Sequence, residues 1–460
     1  MSSRAKLKFP PGPSFGLRRW SLGPLTGGDP LKYFTGIIRE YGDVVGLRIL
    51  NFRILLINHP DHIEDVLVNH PRKFIKGRVL QANKRVFGRG LLTSEGDFWL
   101  RQRRLAQPAF HRARIASYAS TMVEYTERLL HEWQDGEERD IHKEMMRLTL
   151  QIVGKTLFDA DVEGDAQDIG KSMELLLELG ADFRRTLFIP QWLPTPTNMR
   201  LERAIRQIEK VLYRMIAEKR ASGRDAGDLL SMLLAAQDED GSRMTDKQLR
   251  DEAITLFLAG HETTANTLSW TWWLLAQNPA VEAKLHDELR NVLAERAPSL
   301  DDLPKLVYTN HIITESMRLY PPAWGTARTA IEDHEIAGYA VPTGSGVSFA
   351  QWTVHRDARW YEAPDEFRPE RWEGDLLKRL PRFAYFPFGG GPRQCIGNTF
   401  ALMEAALILA TIAQQYRFLL VEGHPVVPLA SITLRPRHGI RVVLEARPAK
   451  SKVAVGESTS

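Results

Sequence analysis

The chain of 460 residues contains one cysteine, Cys395, set in FGGGPRQCIG at 388–397. A lone cysteine forms no internal disulfide and builds no all-cysteine zinc site. Taken by itself it is an inert thiol in a glycine-rich turn. Its neighbours give it chemistry. Three consecutive glycines let the backbone approach a flat ligand closely and take positive φ. Arg393, two residues upstream, offers a guanidinium to an anion. The stretch 395–417 reads as a helix that starts at or just after the cysteine, and helix-start amides stabilise a thiolate. Together these features suit a thiolate bound axially to haem iron.

Three further groupings carry polar residues that need a reason. Ala259-Gly260-His261-Glu262-Thr263-Thr264 lies in a segment, 249–277, that reads as a long helix apolar on several faces. Thr245 and Gln248 stand in capping-box spacing just before it. Small residues leave room against a flat cofactor, while burying a glutamate or threonine without a partner is costly. A bond from threonine to a preceding carbonyl is the local alternative. Trp99 and Arg103 are four apart, so on a helix they share a face and could hold one carboxylate together. Glu315 and Arg318 are three apart and can pair, which is worth little on a surface. Arg371 follows downstream in Phe367-Arg-Pro-Glu-Arg371-Trp372.

Phe388-x-x-Gly391-x-Arg393-x-Cys395-x-Gly397 resembles the haem-binding signature of the cytochromes P-450. Ala259-Gly260-x-Glu262-Thr263-Thr264 is similar to that family's oxygen-activation motif, and Trp99-x-x-x-Arg103 and Glu315-x-x-Arg318 also match. The resemblance runs over residues 10–447. It implies a mainly α fold with a smaller β subdomain, a triangular helical prism around heme b. Cys395 is then the metal ligand, with Phe388, Gly397 and Ala259 against the cofactor. Trp99, Arg103, Arg328 and Arg393 are expected at its propionates. Thr263 is the expected partner of bound dioxygen or its water, and Glu262 belongs to proton delivery. Glu315, Arg318 and Arg371 form a structural network that holds the cysteine loop. Ala259, Ala323, Trp324 and Phe188 line the substrate pocket. His355 is assigned neither metal nor catalysis, though it is placed near the haem edge.

The implied reaction is insertion of one oxygen atom of O2 into a C–H bond of an apolar substrate. A medium- or long-chain fatty acid is the first expectation, on the wording of the 259–264 motif and the proline-rich loop 188–196. A steroid or terpenoid is the alternative, as are a hydrogen-peroxide-driven peroxygenase and a non-enzymatic haem carrier or sensor. Gly389 to Gly391 lack the lysine and serine or threonine of a phosphate loop and the Rossmann glycine spacing. Electrons are therefore expected from a separate ferredoxin or flavodoxin with its NAD(P)H-dependent reductase. The formal net charge of +4 fits a basic face for an acidic protein partner better than nucleic acid.

The frame around these residues reads as one catalytic domain over 10–447, after a basic tail at 1–9. The segment 449–460 reads as a disordered polar tail. No apolar run near Met1 resembles a signal peptide or membrane span, so a cytoplasmic monomer without a membrane anchor is expected. Two short strands are expected over 44–57, joined near Asn51, then a helix over 62–69. Helices are expected over 115–133 and 141–158, with a helix pair over 171–187 and 199–219; the resemblance implies that this pair and its loop cover the substrate channel and move as a lid, where the residues alone also allow a plain linker. Strand character resumes at 336–350 and after the cysteine helix, at 418–423 and 432–444.

Overall fold

The computed structural model describes residues 8–13, 28–49, 51–160, 170–173, 175–176, 179, 193–223, 227–237, 241 and 243–447. Phe188, the loop around it and most of the segment 171–187 lie outside the described residues.

Helix α1 (Pro30–Tyr41) leads into the antiparallel pair β1 (Val44–Ile49) and β2 (Phe52–Ile57), as expected around Asn51. The next helix starts earlier than expected, at Pro60, because a proline at the first helical position has φ already set and lacks only a superfluous N–H. It runs through Pro60–Glu64 into a π-helical turn, Asp65–Asn69. β3 (Phe74–Lys76) follows, then α2 (Gly96–Ala106), α3 (Ala119–His131), β4 (Glu138–Asp140) and α4 (Ile141–Phe158).

After α5 (Pro196–Ser222) comes α6 (Asp246–Gln277), the central helix. Its capping box is present: Thr245 Oγ1 accepts from Gln248 N at 3.3 Å, and Gln248 Oε1 accepts from Thr245 N at 2.8 Å. A helix that is apolar nearly all round must be enclosed, and α6 buries Leu249, Ile254, Phe257, Leu268 and Trp270. It packs along α4, where Phe158 and Phe257 meet at 5.4 Å and Thr149 donates to the His261 carbonyl at 3.0 Å. Each such aliphatic or aromatic burial stabilises by about 1.5–3 kcal/mol.

Helices α7 (Pro279–Leu293) and α8 (Val307–Leu319) precede the strands β5 (Thr326–Ala330), β6 (His334–Ile336), β7 (Tyr339–Val341) and β8 (Gly346–Phe349). The largest sheet has the order β1-β2-β8-β5-β3, and β2 with β8 is its parallel pair. Helix α9 (Asn398–Gln415) carries the chain from the cysteine to β9 (Tyr416–Leu420), β10 (Pro428–Ala430), β11 (Leu434–Pro436) and β12 (Arg441–Ala446). A second sheet, β4-β12-β9, and the hairpin β10-β11 complete a mainly helical molecule with a smaller β part. Among the described residues no helix is long and apolar enough to cross a membrane.

Candidate active site

Cys395 does not open the helix that follows it. α9 begins at Asn398, after a single 3-10 turn at Gly391–Arg393. The Cys395 amide donates to Phe388 O at 3.0 Å, and Gln394 N donates to Gly391 O at 3.1 Å. Those bonds fold 388–395 into a compact turn. Two of its glycines are there for the protein's own chain. A Cβ on Gly391, at φ +66°, would lie 1.9 Å from Leu67 O, and one on Gly390 would lie 2.4 Å from the Phe383 ring. The Cys395 residue is exposed, yet burial raises its thiol pKa. An open surface deep inside protein is the signature of a cavity wall. The Gly397 amide and the nearby Arg103 act in the opposite direction and favour the thiolate. Arg103 also donates to Gln394 O at 2.9 Å.

The loop is suspended from a buried carboxylate. Glu315 and Arg318, both on α8, have no exposed surface. Arg318 donates from Nε and Nη2 to the two Glu315 oxygens, each at 2.8 Å. Arg371 Nε adds a bond at 3.2 Å, Trp372 Nε1 one at 3.0 Å and Arg368 N one at 3.1 Å. Arg318 Nη1 then donates to His355 O at 2.8 Å, and His355 Nε2 accepts from Phe386 N at 3.0 Å. Tyr361 and Tyr385 add hydroxyl bonds to Ala384 O and Thr314 O. His355 is thus a tie to the strand of chain entering the cysteine turn, two residues before Phe388. Burial depresses its pKa to about 3, so it stays neutral.

Cations cluster at the opposite end of that turn. Lys76 on β3 pairs directly across from Arg328 on β5. Lys76, Arg328 and Arg393 line a common cavity with the single carboxylate Glu95. Like charges opposite one another destabilise a sheet. Here burial, then the neighbouring arginines, hold Lys76 well below its ordinary pKa, and burial with Arg393 brings Arg328 down to about 10. Arg393 is paired with Glu95, donates to Ser94 O at 2.9 Å and stacks 3.8 Å above the Trp99 ring. Trp99 and Arg103 do share one face of α2, as their spacing requires. They meet Arg393 and Gln394, however, and no common carboxylate of the protein. Three cations against one carboxylate call for further anions, and two propionates supply that charge. The thiol on a cavity wall and the cation cluster both fit haem b.

The second wall comes from α6. Within a stretch otherwise buried, Ala259 is exposed and Gly260 and Thr263 are partly so. The Thr263 hydroxyl donates to Ala259 O at 2.7 Å. Glu262 points elsewhere: it is 2% exposed, and Thr433 Oγ1 donates to its carboxylate at 2.6 Å. That bond brings in the 431–434 turn, which is also held by Trp270 Nε1 on Leu434 O at 3.0 Å. The same turn receives Trp324 Nε1 on Ser431 O at 2.9 Å and gives Leu434 N to Pro322 O at 2.9 Å. Ala323 and Trp324, both half-buried, are thereby fastened to the α6 side.

Four positions here went unassigned in the sequence reading: Lys76, Glu95, Thr433 and Glu404. Glu404 alone had a signal, a charge inside the apolar run of α9. It is fully buried. Thr264 Oγ1 approaches it but donates to Gly260 O at 3.3 Å, so neither carboxyl oxygen has a firm partner. Burial pushes its pKa up to about 8. Glu252, also buried, joins α6 to α2 by accepting from Gln102 Nε2 and Leu91 N, each at 3.0 Å.

Two outcomes are expected. Arg318→Met leaves Glu315 buried without its main partner and should destabilise the fold by about 3–5 kcal/mol, with loss of haem on purification. Urea melts and haem content measure this; near-native values for both would remove the pair from its supporting role. The second concerns pH. A carboxyl whose folded pKa is raised gives stability that is complete below its ordinary value of 4.5 and is lost as pH rises through about 8. Between pH 5 and about 8, Glu404→Gln should flatten that decline, which is at most about 1.4 kcal/mol per pH unit. An unchanged slope would mean that Glu404 is already ionised at neutral pH.

Comparison with known proteins places this geometry in context. A family model described as Cytochrome P450 matches residues 10–442. The chain is 37% identical to Cyclooctat-9-en-7-ol 5-monooxygenase of Streptomyces melanosporofaciens, over 88% of this chain and 91% of that one. It is 36% identical to Pentalenene oxygenase of Streptomyces avermitilis, over 90% and 93%. Among solved structures, Retinoic acid bound cyanobacterial CYP120A1 superposes with a TM-score of 0.86 at 25% identity, covering 96% of this chain and all of that one.

Proposed function

The chain belongs to the cytochrome P450 family, and on that premise we propose that it hydroxylates a terpenoid hydrocarbon skeleton. Monooxygenase activity of the haem-thiolate type follows from the membership itself. The substrate class is the finer step, and it replaces the expectation of a fatty acid. Support comes from three relatives 36–38% identical to the chain, named Cyclooctat-9-en-7-ol 5-monooxygenase, Cyclooctatin synthase and Pentalenene oxygenase.

One observation of the chain carries the reading. Among the accessible positions on the α6 wall and the loop fastened to it are Ala259, Gly260, Thr263, Ala323 and Trp324, all uncharged. They suit a compact apolar skeleton. None of the five is a cation, so among them a fatty-acid carboxylate finds no ion-pair partner.

Haem b, when bound, supplies oxygen binding and C–H oxidation. Cys395 would hold its iron through Sγ, and metal coordination would keep such a thiol deprotonated. The Gly397 amide and Arg103 hold the negative charge at Sγ. Lys76, Arg328 and Arg393 would hold its propionates, and Phe388, Gly397 and Ala259 would form the walls. Thr263 Oγ1 donates to Ala259 O, which leaves its lone pairs to accept from a water at the exposed strip. Glu262 accepts from Thr433 Oγ1 through Oε1, which holds its carboxylate on the 431–434 turn beside that strip. Ferredoxin or flavodoxin, with its reductase, is the electron donor, because the chain carries no nucleotide-binding glycine motif.

Spectral titration of the haem protein tests the substrate class. Cyclic terpenes and terpene alcohols should shift the Soret band at concentrations roughly tenfold below those needed for C12–C16 fatty acids; the reverse order would restore the fatty-acid reading. The reduced carbon monoxide complex should carry the red-shifted Soret band of thiolate ligation, lost in Cys395→His. Thr263→Ala should keep that band while product per reductant consumed falls roughly tenfold or more. Unchanged coupling would take Thr263 out of proton delivery.

A further inference from the structure

A second group of ligating side chains lies outside the Cys395 turn. Asp65 starts the π-helical turn that follows Pro60–Glu64, His70 comes just after that turn, and His334 opens β6. Asp65 Oδ1 accepts from His70 Nδ1 at 2.8 Å, and Asp65 Oδ2 accepts from His334 Nε2 at 2.7 Å. The three ligating atoms all lie within 4.8 Å of one another. The two imidazole rings are 4.7 Å apart, and the Phe74 ring meets His334 edge-on at 5.4 Å.

We propose that Asp65, His70 and His334 bind a divalent transition metal of the zinc type, at a site separate from the haem ligand. Two imidazole nitrogens and one carboxylate oxygen are a donor set that zinc takes, with solvent as the fourth ligand. Tetrahedral coordination at zinc–nitrogen and zinc–oxygen distances near 2 Å sets ligand atoms about 3.3 Å apart. Asp65 meets the two imidazoles through different oxygens, at 2.8 Å from Oδ1 and 2.7 Å from Oδ2, and with a single oxygen in the set every separation stays within 4.8 Å. Small side-chain rotations therefore reach the bound geometry. Burial is graded in a useful way. The His334 side chain is 8% exposed and held by Phe74, whereas those of Asp65 and His70 are 25% and 42% exposed. One ligand is fixed by the fold, and the other two face the entry route and a water ligand.

The site also bears on the Cys395 turn. Leu67 belongs to the same π-helical turn as Asp65, and its carbonyl is the group that leaves no space for a Cβ on Gly391. Metal bound at Asp65 ties that turn to β6, 269 residues further on, and so braces the wall behind the cysteine loop.

The competing account is a His–Asp–His hydrogen-bonded cluster satisfied by its own two N–H donors. It predicts no metal affinity. The test uses untagged, chelator-treated haem protein titrated with zinc chloride by calorimetry. The expected result is one site of micromolar affinity, weakened about tenfold or more in His70→Ala and again in His334→Gln. His70 is exposed enough for its replacement to leave the fold intact, and an unchanged carbon monoxide spectrum confirms that in each variant. Wild-type affinity weaker than roughly 100 μM, or zinc binding that both variants retain, overturns the proposal.

Discussion

A carboxylate with no exposed surface is an expensive thing to keep inside a protein. Removing an ion from water costs several kcal/mol even after relaxation, and only good geometry and further donors offset that cost. Glu315 receives both: a two-pronged contact from Arg318, then bonds from Arg371, Trp372 and the Arg368 amide. The arginine that neutralises it is held in turn by the carbonyls of His355, Pro364 and Glu366. These contacts bind α8, the 364–372 segment and the approach to the cysteine turn into one unit. The position of the sulfur depends on that unit, although no member of it touches the sulfur.

The region around the turn shows the opposite arrangement, charge that the protein leaves incompletely balanced. Lys76 and Arg328 face each other across β3 and β5, and Arg393 joins them on the same cavity. Self-repulsion there disfavours the sheet and favours any anion that enters. The α6 wall shows a similar conflict, since three positions open within its stretch 249–272, which is otherwise buried. Binding sites commonly keep such local conflicts, and the surrounding network must be stable enough to tolerate them.

Hydrogen bonds also separate two residues that stand side by side in the chain. Glu262 and Thr263 are neighbours, but a helix turns by about 100° per residue. Thr263 therefore opens onto the accessible strip while Glu262 reaches Thr433 and fastens the 431–434 turn. The same turn anchors Trp324 and Pro322, so the acidic residue helps shape the wall on which they sit.

Much of this was legible without coordinates. The spacing around Cys395, the small residues before Glu262, the capping box at Thr245 and the Glu315–Arg318 spacing are local patterns, and local geometry obeys sequence spacing directly. α4 and α6 follow from helical periodicity in the same way. The sequence by itself thus determined the cysteine turn, the central helix and the pair that supports the loop. Only the tertiary structure decided that Arg393 stacks on Trp99 and pairs with Glu95, that His355 holds Phe386, that Glu262 belongs to Thr433, and that Lys76 faces Arg328. Each of those partners is remote in sequence, between 31 and 298 positions away. Burial and pairing at such distances arise from how helices and strands pack, and no spacing rule along the chain contains that information.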